Sequence, residues 1–132
     1  MMKMQLSLIN RVFLLHYRLP NIVEINCGWC MQWAYVVYCL YGGTLCSVGD
    51  RHHAFIKIDG KYYDSECVQG TEDWRDLPCI VQINFGYVED EESQHFIDRW
   101  YFTPNKKILE NIKELINNNS QLRPKWLDRD LA

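Results

Sequence analysis

Apolar residues recur at helical spacing from the start of the chain. Met4, Leu8, Val12, Leu15 and Leu19, with Ile9 and Phe13 beside them, repeat every three or four positions until Pro20. That period predicts an opening amphipathic helix. A short link over residues 21–26 leads to a second run, 27–41, in which Cys30, Ala34, Val37 and Tyr41 share one face and Gly42-Gly43 ends the helix. Asn26 is placed to cap this helix, which leaves Cys30 in or just beyond its first turn.

The period then changes to two. Residues 44–48, 51–58 and 61–64 read as strands, and Asp59-Gly60 between the last two is a strong signal for a two-residue hairpin turn. Residues 71–74 have the composition of a capped helical turn, and residues 80–88 alternate like a further strand. The acidic stretch 89–92 is expected to open a helix running to residue 100. Thr103-Pro104 starts a last amphipathic helix with Ile108, Ile112, Leu115 and Ile116 inward, frayed at 117–119. Residues 120–132 carry an Arg123-Pro124 break and read as a mobile tail.

These elements predict an α+β fold: an antiparallel sheet packed on a helix that carries a cysteine at its N-terminus, with flanking N- and C-terminal helices. At 132 residues the chain suits one domain, 1–132, with a hydrophobic core.

Hairpin register decides which polar groups meet. A two-residue turn pairs Ile58 with Lys61, so that Phe55 faces Asp64 and His53 faces Glu66. His53, Phe55, Tyr62, Asp64 and Glu66 then share one face, and Ala54, Ile56, Ile58 and Tyr63 take the other. His53 and Asp64 become diagonal neighbours, with backbones roughly 7–8 Å apart, within reach of an imidazole and a carboxylate. A three-residue loop would put Asp64 on the wrong face.

Composition narrows the function classes. The formal charge of −3 and the scattered Lys and Arg residues argue against nucleic acid as partner. Aromatic residues make up 14% of the chain, including five Trp and eight Tyr, enough either to line a cleft for a peptide or a sugar or to build core and interface. Trp74, Trp100, Tyr101 and Trp126 look exposed. The first apolar stretch, residues 6–15, is broken by Asn10 and Arg11 with no small-residue cleavage site after it, so neither export nor a membrane span is expected. The six cysteines are therefore expected to be reduced, in a cytoplasmic compartment, and available as nucleophiles.

A neutral thiol with a pKa of about 8.5 is a poor nucleophile and needs a helix N-terminus or an imidazolium to hold the thiolate. Cys30 is offered both. His53 would take and return the proton, and Asp64 would fix the imidazole tautomer and orientation. Glu66 is the alternative orienting carboxylate. Cys39, Cys46, Cys67 and Cys79 are expected to be inert small hydrophobes, and His52 points to the other face of its strand.

Gly28-Trp29-Cys30-Met31-Gln32-Trp33-Ala34 resembles the Gly-x-Cys-x-x-x-Ala pattern of transglutaminase-like proteins, in the papain-like cysteine enzyme superfamily. His53-Ala54-Phe55 resembles that family's His-Ala-Trp strand, and Lys61-Tyr62-Tyr63-Asp64 resembles the next strand, which ends in the catalytic Asp. The resemblance implies catalytic Cys30, His53 and Asp64 and chemistry at amide or ester carbonyls through a thioester. It implies a protein or peptide substrate, with hydrolysis or transfer to an amine, and no metal or organic cofactor. The chain departs from the pattern in its short Cys30 to His53 interval and in Phe55 for Trp, which implies shortened substrate-binding loops. Asn26, Trp29, Gln82 and Glu66 are the candidates for oxyanion or substrate binding, beside the backbone N–H of Cys30.

Two other classes remain. Cys27-Gly28-Trp29-Cys30 is a CxxC of the kind a thioredoxin-like thiol oxidoreductase uses, although that fold needs a βαβ unit ahead of the motif. A zinc site from Cys27, Cys30, His52 and His53 lacks a second CxxC. A binding module that kept the scaffold without the chemistry would show thiols of ordinary reactivity.

Overall fold

The computed structural model describes residues 2–48, 53–83 and 105–118. Helix α1 spans Met2–Tyr17 and is followed by a 3-10 helix, Ile22–Cys27, and by α2, Cys30–Tyr41. Four strands follow: β1 Thr44–Val48, β2 His53–Ile58, β3 Lys61–Asp64 and β4 Cys67–Thr71. They form an antiparallel meander in the order β1-β2-β3-β4. A 3-10 turn, Trp74–Asp76, leads into the short α3, Pro78–Ile83, and α4 covers Lys106–Asn118. The fold is α+β, an antiparallel sheet with flanking helices, as the alternation of periods predicts.

The β2–β3 hairpin closes as its Asp-Gly pair requires. Asp59 and Gly60 both have positive φ, 50° and 81°, the signature of a type I′ turn whose twist matches the strands it joins. Ile58 pairs with Lys61, Lys57 with Tyr62 and Ile56 with Tyr63. Odd positions of β2 therefore face one way, where Lys57 Nζ lies 5.4 Å from the centre of the Tyr62 ring. Even positions face the other.

Each sheet face has its own apolar layer. Leu45, Ala54, Ile56, Ile58 and Tyr63 pack against Ile9 and Phe13 of α1, Trp33, Ala34 and Val37 of α2, and Ile108, Ile112 and Ile116 of α4. On the other side, Cys46, Phe55 and Cys67 pack under Trp74, Leu77 and Ile80.

Several expectations are corrected. The inward face of α1 is rotated: Met4 is 52% and Leu15 75% exposed, while Gln5, Leu6, Ile9, Asn10, Val12 and Phe13 are buried. Polar residues fall on more than one side of the helix, with Gln5 and Asn10 both buried, so spacing alone does not choose the face. Asn10 chooses it, accepting from Trp33 Nε1–H at 2.6 Å and donating to the Ser65 carbonyl at 2.8 Å. Leu115 of α4, expected inward, is 43% exposed. The strand expected at 80–88 is a helix through Ile83. Pro78 occupies the first helical position, where its missing N–H costs nothing, and Leu77 and Ile80, three residues apart, anchor one side of the helix to the sheet. The fourth strand is instead β4, whose Gly70 and weak alternation hide it from a periodicity reading. Trp74, expected exposed, is buried. The 89–100 helix, Thr103-Pro104, Trp100, Tyr101, Trp126, His52 and the 120–132 tail lie outside the described residues.

Candidate active site

Cys30 is delivered by a change of helix type. Asn21 caps the 3-10 helix by accepting from the Val23 N–H at 3.1 Å, and Gly28 ends it at φ 153° and ψ −11°, a conformation that favours glycine. The chain re-enters a helix at once, so the expected cap is corrected: Asn26 lies inside the 3-10 segment, and the residue before α2 is Trp29, with no side-chain cap. The first turn-to-turn bond of α2 runs from the Trp33 N–H to the Trp29 carbonyl. The N–H groups of Cys30, Met31 and Gln32 thus precede any carbonyl of α2 that could accept them, and the positive end of the helix dipole lies at this turn. Cys30 is 8% exposed. The Trp29 indole stacks on Tyr17 with ring centres 3.9 Å apart, pinning the start of α2 to α1.

His53 and Asp64 meet across the hairpin. His53 Nε2 lies 2.8 Å from Asp64 Oδ2, and both side chains are essentially without solvent contact. Because a carboxylate only accepts, the consistent assignment is an Nε2–H that donates to Asp64, which leaves Nδ1 as the nitrogen that can gain or lose a proton. Nδ1 is buried and closes no hydrogen bond. The ring is further held by a stacked contact with Phe55, 5.9 Å between centres.

Asp64 is held in turn. Its Oδ1 accepts the Glu66 N–H at 2.9 Å across the tight β3–β4 connection, and the Glu66 carboxylate accepts from Asn26 Nδ2 at 2.7 Å. A continuous polar chain therefore runs from the 3-10 segment that precedes Cys30, through Glu66 and Asp64, to His53. Ser65 in the same connection donates to the Ile22 carbonyl at 3.1 Å and accepts from Asn10 through its own carbonyl. The turn is thus tied to both the 3-10 segment and α1.

Electrostatics favour a charged imidazole. Burial pushes the His53 pKa down and is the largest single influence, but the hydrogen bond to Asp64 and the adjacent Cys30 and Cys79 thiols together outweigh it. The ring is left well above its ordinary value. Cys27 differs: it is exposed, yet its thiol is pushed up by the desolvation it does experience and by Glu24, Cys79, Glu66 and Cys30.

Of the residues singled out from the sequence, Cys30, His53, Asp64, Glu66 and Asn26 come together. Glu66 is corrected in role, since it sits in the connection after β3 rather than opposite His53, and its carboxylate is engaged by Asn26. Asn26 in turn has an amide N–H directed at Glu66 and leaves its buried Oδ1 without a partner. Trp29 is engaged with Tyr17. Gln82 falls in α3, and its side chain lies outside the described set. Cys79, expected to be inert, is one of the groups that raise the His53 pKa.

No protein-family model matches the chain, and comparisons with curated proteins and with solved structures return no significant match. Among the described residues, no three His, Cys, Asp or Glu side chains are arranged to hold a metal ion, and no helix is long and apolar enough to cross a membrane.

Proposed function

We propose that this chain is a cysteine-dependent acyl transferase or hydrolase acting on amide carbonyls of a protein or peptide. The observation that carries the reading is the buried His53–Asp64 pair at 2.8 Å, whose imidazole pKa is raised by Asp64 and by the Cys30 thiol. Cys30 gives its proton to Nδ1 of His53, and the sulfur attacks the carbonyl carbon. The oxyanion that forms faces the N–H groups at the start of α2. Nδ1 returns the proton to the departing amine, and the acyl group is left as a thioester on Cys30. Water or a second amine then attacks, His53 takes its proton, and the thiol is regenerated. Asp64 holds the ring in the tautomer that both halves need and stabilises its charge between them.

The oxidoreductase alternative is disfavoured by two observations. A helix and a 3-10 segment, with no strand, precede the CxxC among the described residues, and the exposed thiol, Cys27, is pushed toward its protonated form, which opposes attack as a thiolate.

An activated ester tests the reading without knowledge of the substrate. p-Nitrophenyl acetate should give a burst of one nitrophenolate per chain, with the acetyl group on Cys30 by peptide mass spectrometry. Burst and adduct should both vanish in His53→Gln. An acetyl group on Cys27 instead, or an equal burst in the variant, would refute it.

A further inference from the structure

The short connection between β3 and β4, Ser65-Glu66, is bonded to the Cys30-bearing segment on both sides of the sulfur. Ahead of Cys30, Ser65 Oγ donates to the Ile22 carbonyl at 3.1 Å, and the Glu66 carboxylate accepts from Asn26 Nδ2 at 2.7 Å. Beyond Cys30, the Trp33 indole N–H donates to Asn10 Oδ1 at 2.6 Å, and the Asn10 amide donates to the Ser65 carbonyl at 2.8 Å. The backbone between these ties is itself hydrogen-bonded. The Gly28 and Trp29 N–H groups both donate to the Ile25 carbonyl, and the Trp33 N–H donates to the Trp29 carbonyl at 2.9 Å. A displacement of Asn26 therefore carries Cys30 with it.

Glu66 also holds the other half of the site. Its N–H donates to Asp64 Oδ1 at 2.9 Å, and Asp64 Oδ2 holds the His53 ring. One residue thus bonds to the acidic partner of the imidazole through its main chain and to the approach to the nucleophile through its side chain. The apolar packing of α2 on the sheet drives the two together but is non-directional, whereas hydrogen bonds fix position and angle. Asn26 is 8% exposed and leaves its Oδ1 without a partner while Nδ2 reaches Glu66. An unmet buried polar atom is destabilising, and such departures collect where function demands a particular geometry.

We propose that Glu66 is a positioning residue of the acyl-transfer site, acting through Asn26 to hold the Cys30 sulfur in line with His53. The hydrogen bond performs this task, not the negative charge. Removing the acceptor lets the end of the 3-10 segment shift against the hairpin, leaving the His53–Asp64 pair intact and the sulfur misaligned.

The proposal rests on the acyl-transfer reading, and the rate of the p-nitrophenyl acetate burst separates the two. It is measured on the full chain without denaturant, so that lost stability lowers the amplitude of the burst and lost positioning lowers its rate. Glu66→Ala and Asn26→Ala should each slow the burst about tenfold or more at full amplitude, because misplacing reacting groups by about 1 Å can cost about a hundredfold. Glu66→Gln keeps an acceptor oxygen for Asn26 and should stay close to the wild-type rate. Asn26→Asp sets two carboxylates against each other and should be slow, and the exchanged pair Asn26→Asp/Glu66→Gln restores a donor and an acceptor and should recover the rate. Full-amplitude alanine variants at the wild-type rate, or Glu66→Gln as slow as Glu66→Ala, would overturn the positioning role and leave acyl transfer standing. If the alanine variants lose amplitude, the exchanged pair decides, and its failure to recover the rate overturns the proposal. Absence of any burst on Cys30 in the wild type would remove the acyl-transfer reading and the positioning role together.

Discussion

Removing the His53 ring leaves the Asp64 carboxylate buried with one backbone N–H, that of Glu66, in place of two donors. Breaking a buried pair by deleting one partner costs about 3–5 kcal/mol, because the remaining charge keeps its desolvation penalty. His53→Ala should therefore lose that much of a total stability that is itself only about 5–15 kcal/mol. Glutamine carries an N–H at the same number of bonds from Cα as Nε2, so His53→Gln keeps a donor at Asp64 and should lose about 1–3 kcal/mol. Urea unfolding followed by tryptophan fluorescence reads the difference. With a slope of about 2 kcal/mol per molar urea, His53→Ala shifts the midpoint down by about 2 M, and His53→Gln by clearly less. The double variant His53→Ala/Asp64→Ala completes a cycle in which the coupling should exceed about 1 kcal/mol. A His53→Ala midpoint within about 0.5 M of wild type, or additive single losses, would refute the buried pair.

Two further predictions concern the same framework. His53 binds its proton more tightly folded than unfolded, so its stabilisation is complete below the ordinary value of 6.5 and is lost as pH rises through the higher folded value; the urea midpoint should fall from neutral pH upward in wild type, and a slope unchanged in His53→Gln would contradict this. Asn10→Ala leaves the Trp33 Nε1–H and the Ser65 carbonyl buried without partners, at about 1–3 kcal/mol each, and should lower the midpoint and alter near-UV circular dichroism; a loss under about 0.5 kcal/mol would show that water replaces the amide.

The hairpin was legible because its information is local. Asp59-Gly60 specifies the turn, the turn specifies the register, and a period of two carries that register to His53 and Asp64. The helix that carries Cys30 was legible for similar reasons, but its start was not: residues 27–29, read as its first turn, fall in the end of the 3-10 segment and the Gly28 break. The 3-10 segment is stabilised by the Asn21 cap and by Ser65, 43 residues beyond the Ile22 carbonyl to which it donates. Long-range polar bonds of this kind leave no periodic trace. The same holds for Asn10, which reads as an interruption of an apolar helix yet sets the buried face, and for Glu66, whose role follows from a tight connection that no glycine announces. Residues 80–83 show the limit of pattern reading in short segments, since four residues fit a strand or a helical turn equally well and Pro78 decides between them.

Activation of one thiol by His53 is most directly tested by competitive alkylation. With limiting iodoacetamide at pH 6.5, peptide mass spectrometry of the folded chain should find Cys30 labelled at least about tenfold faster than Cys27, although Cys27 is the more exposed. That preference should collapse in His53→Gln. Labelling that follows exposure, with Cys27 ahead of Cys30 and no change in the variant, would contradict an activated nucleophile in this fold.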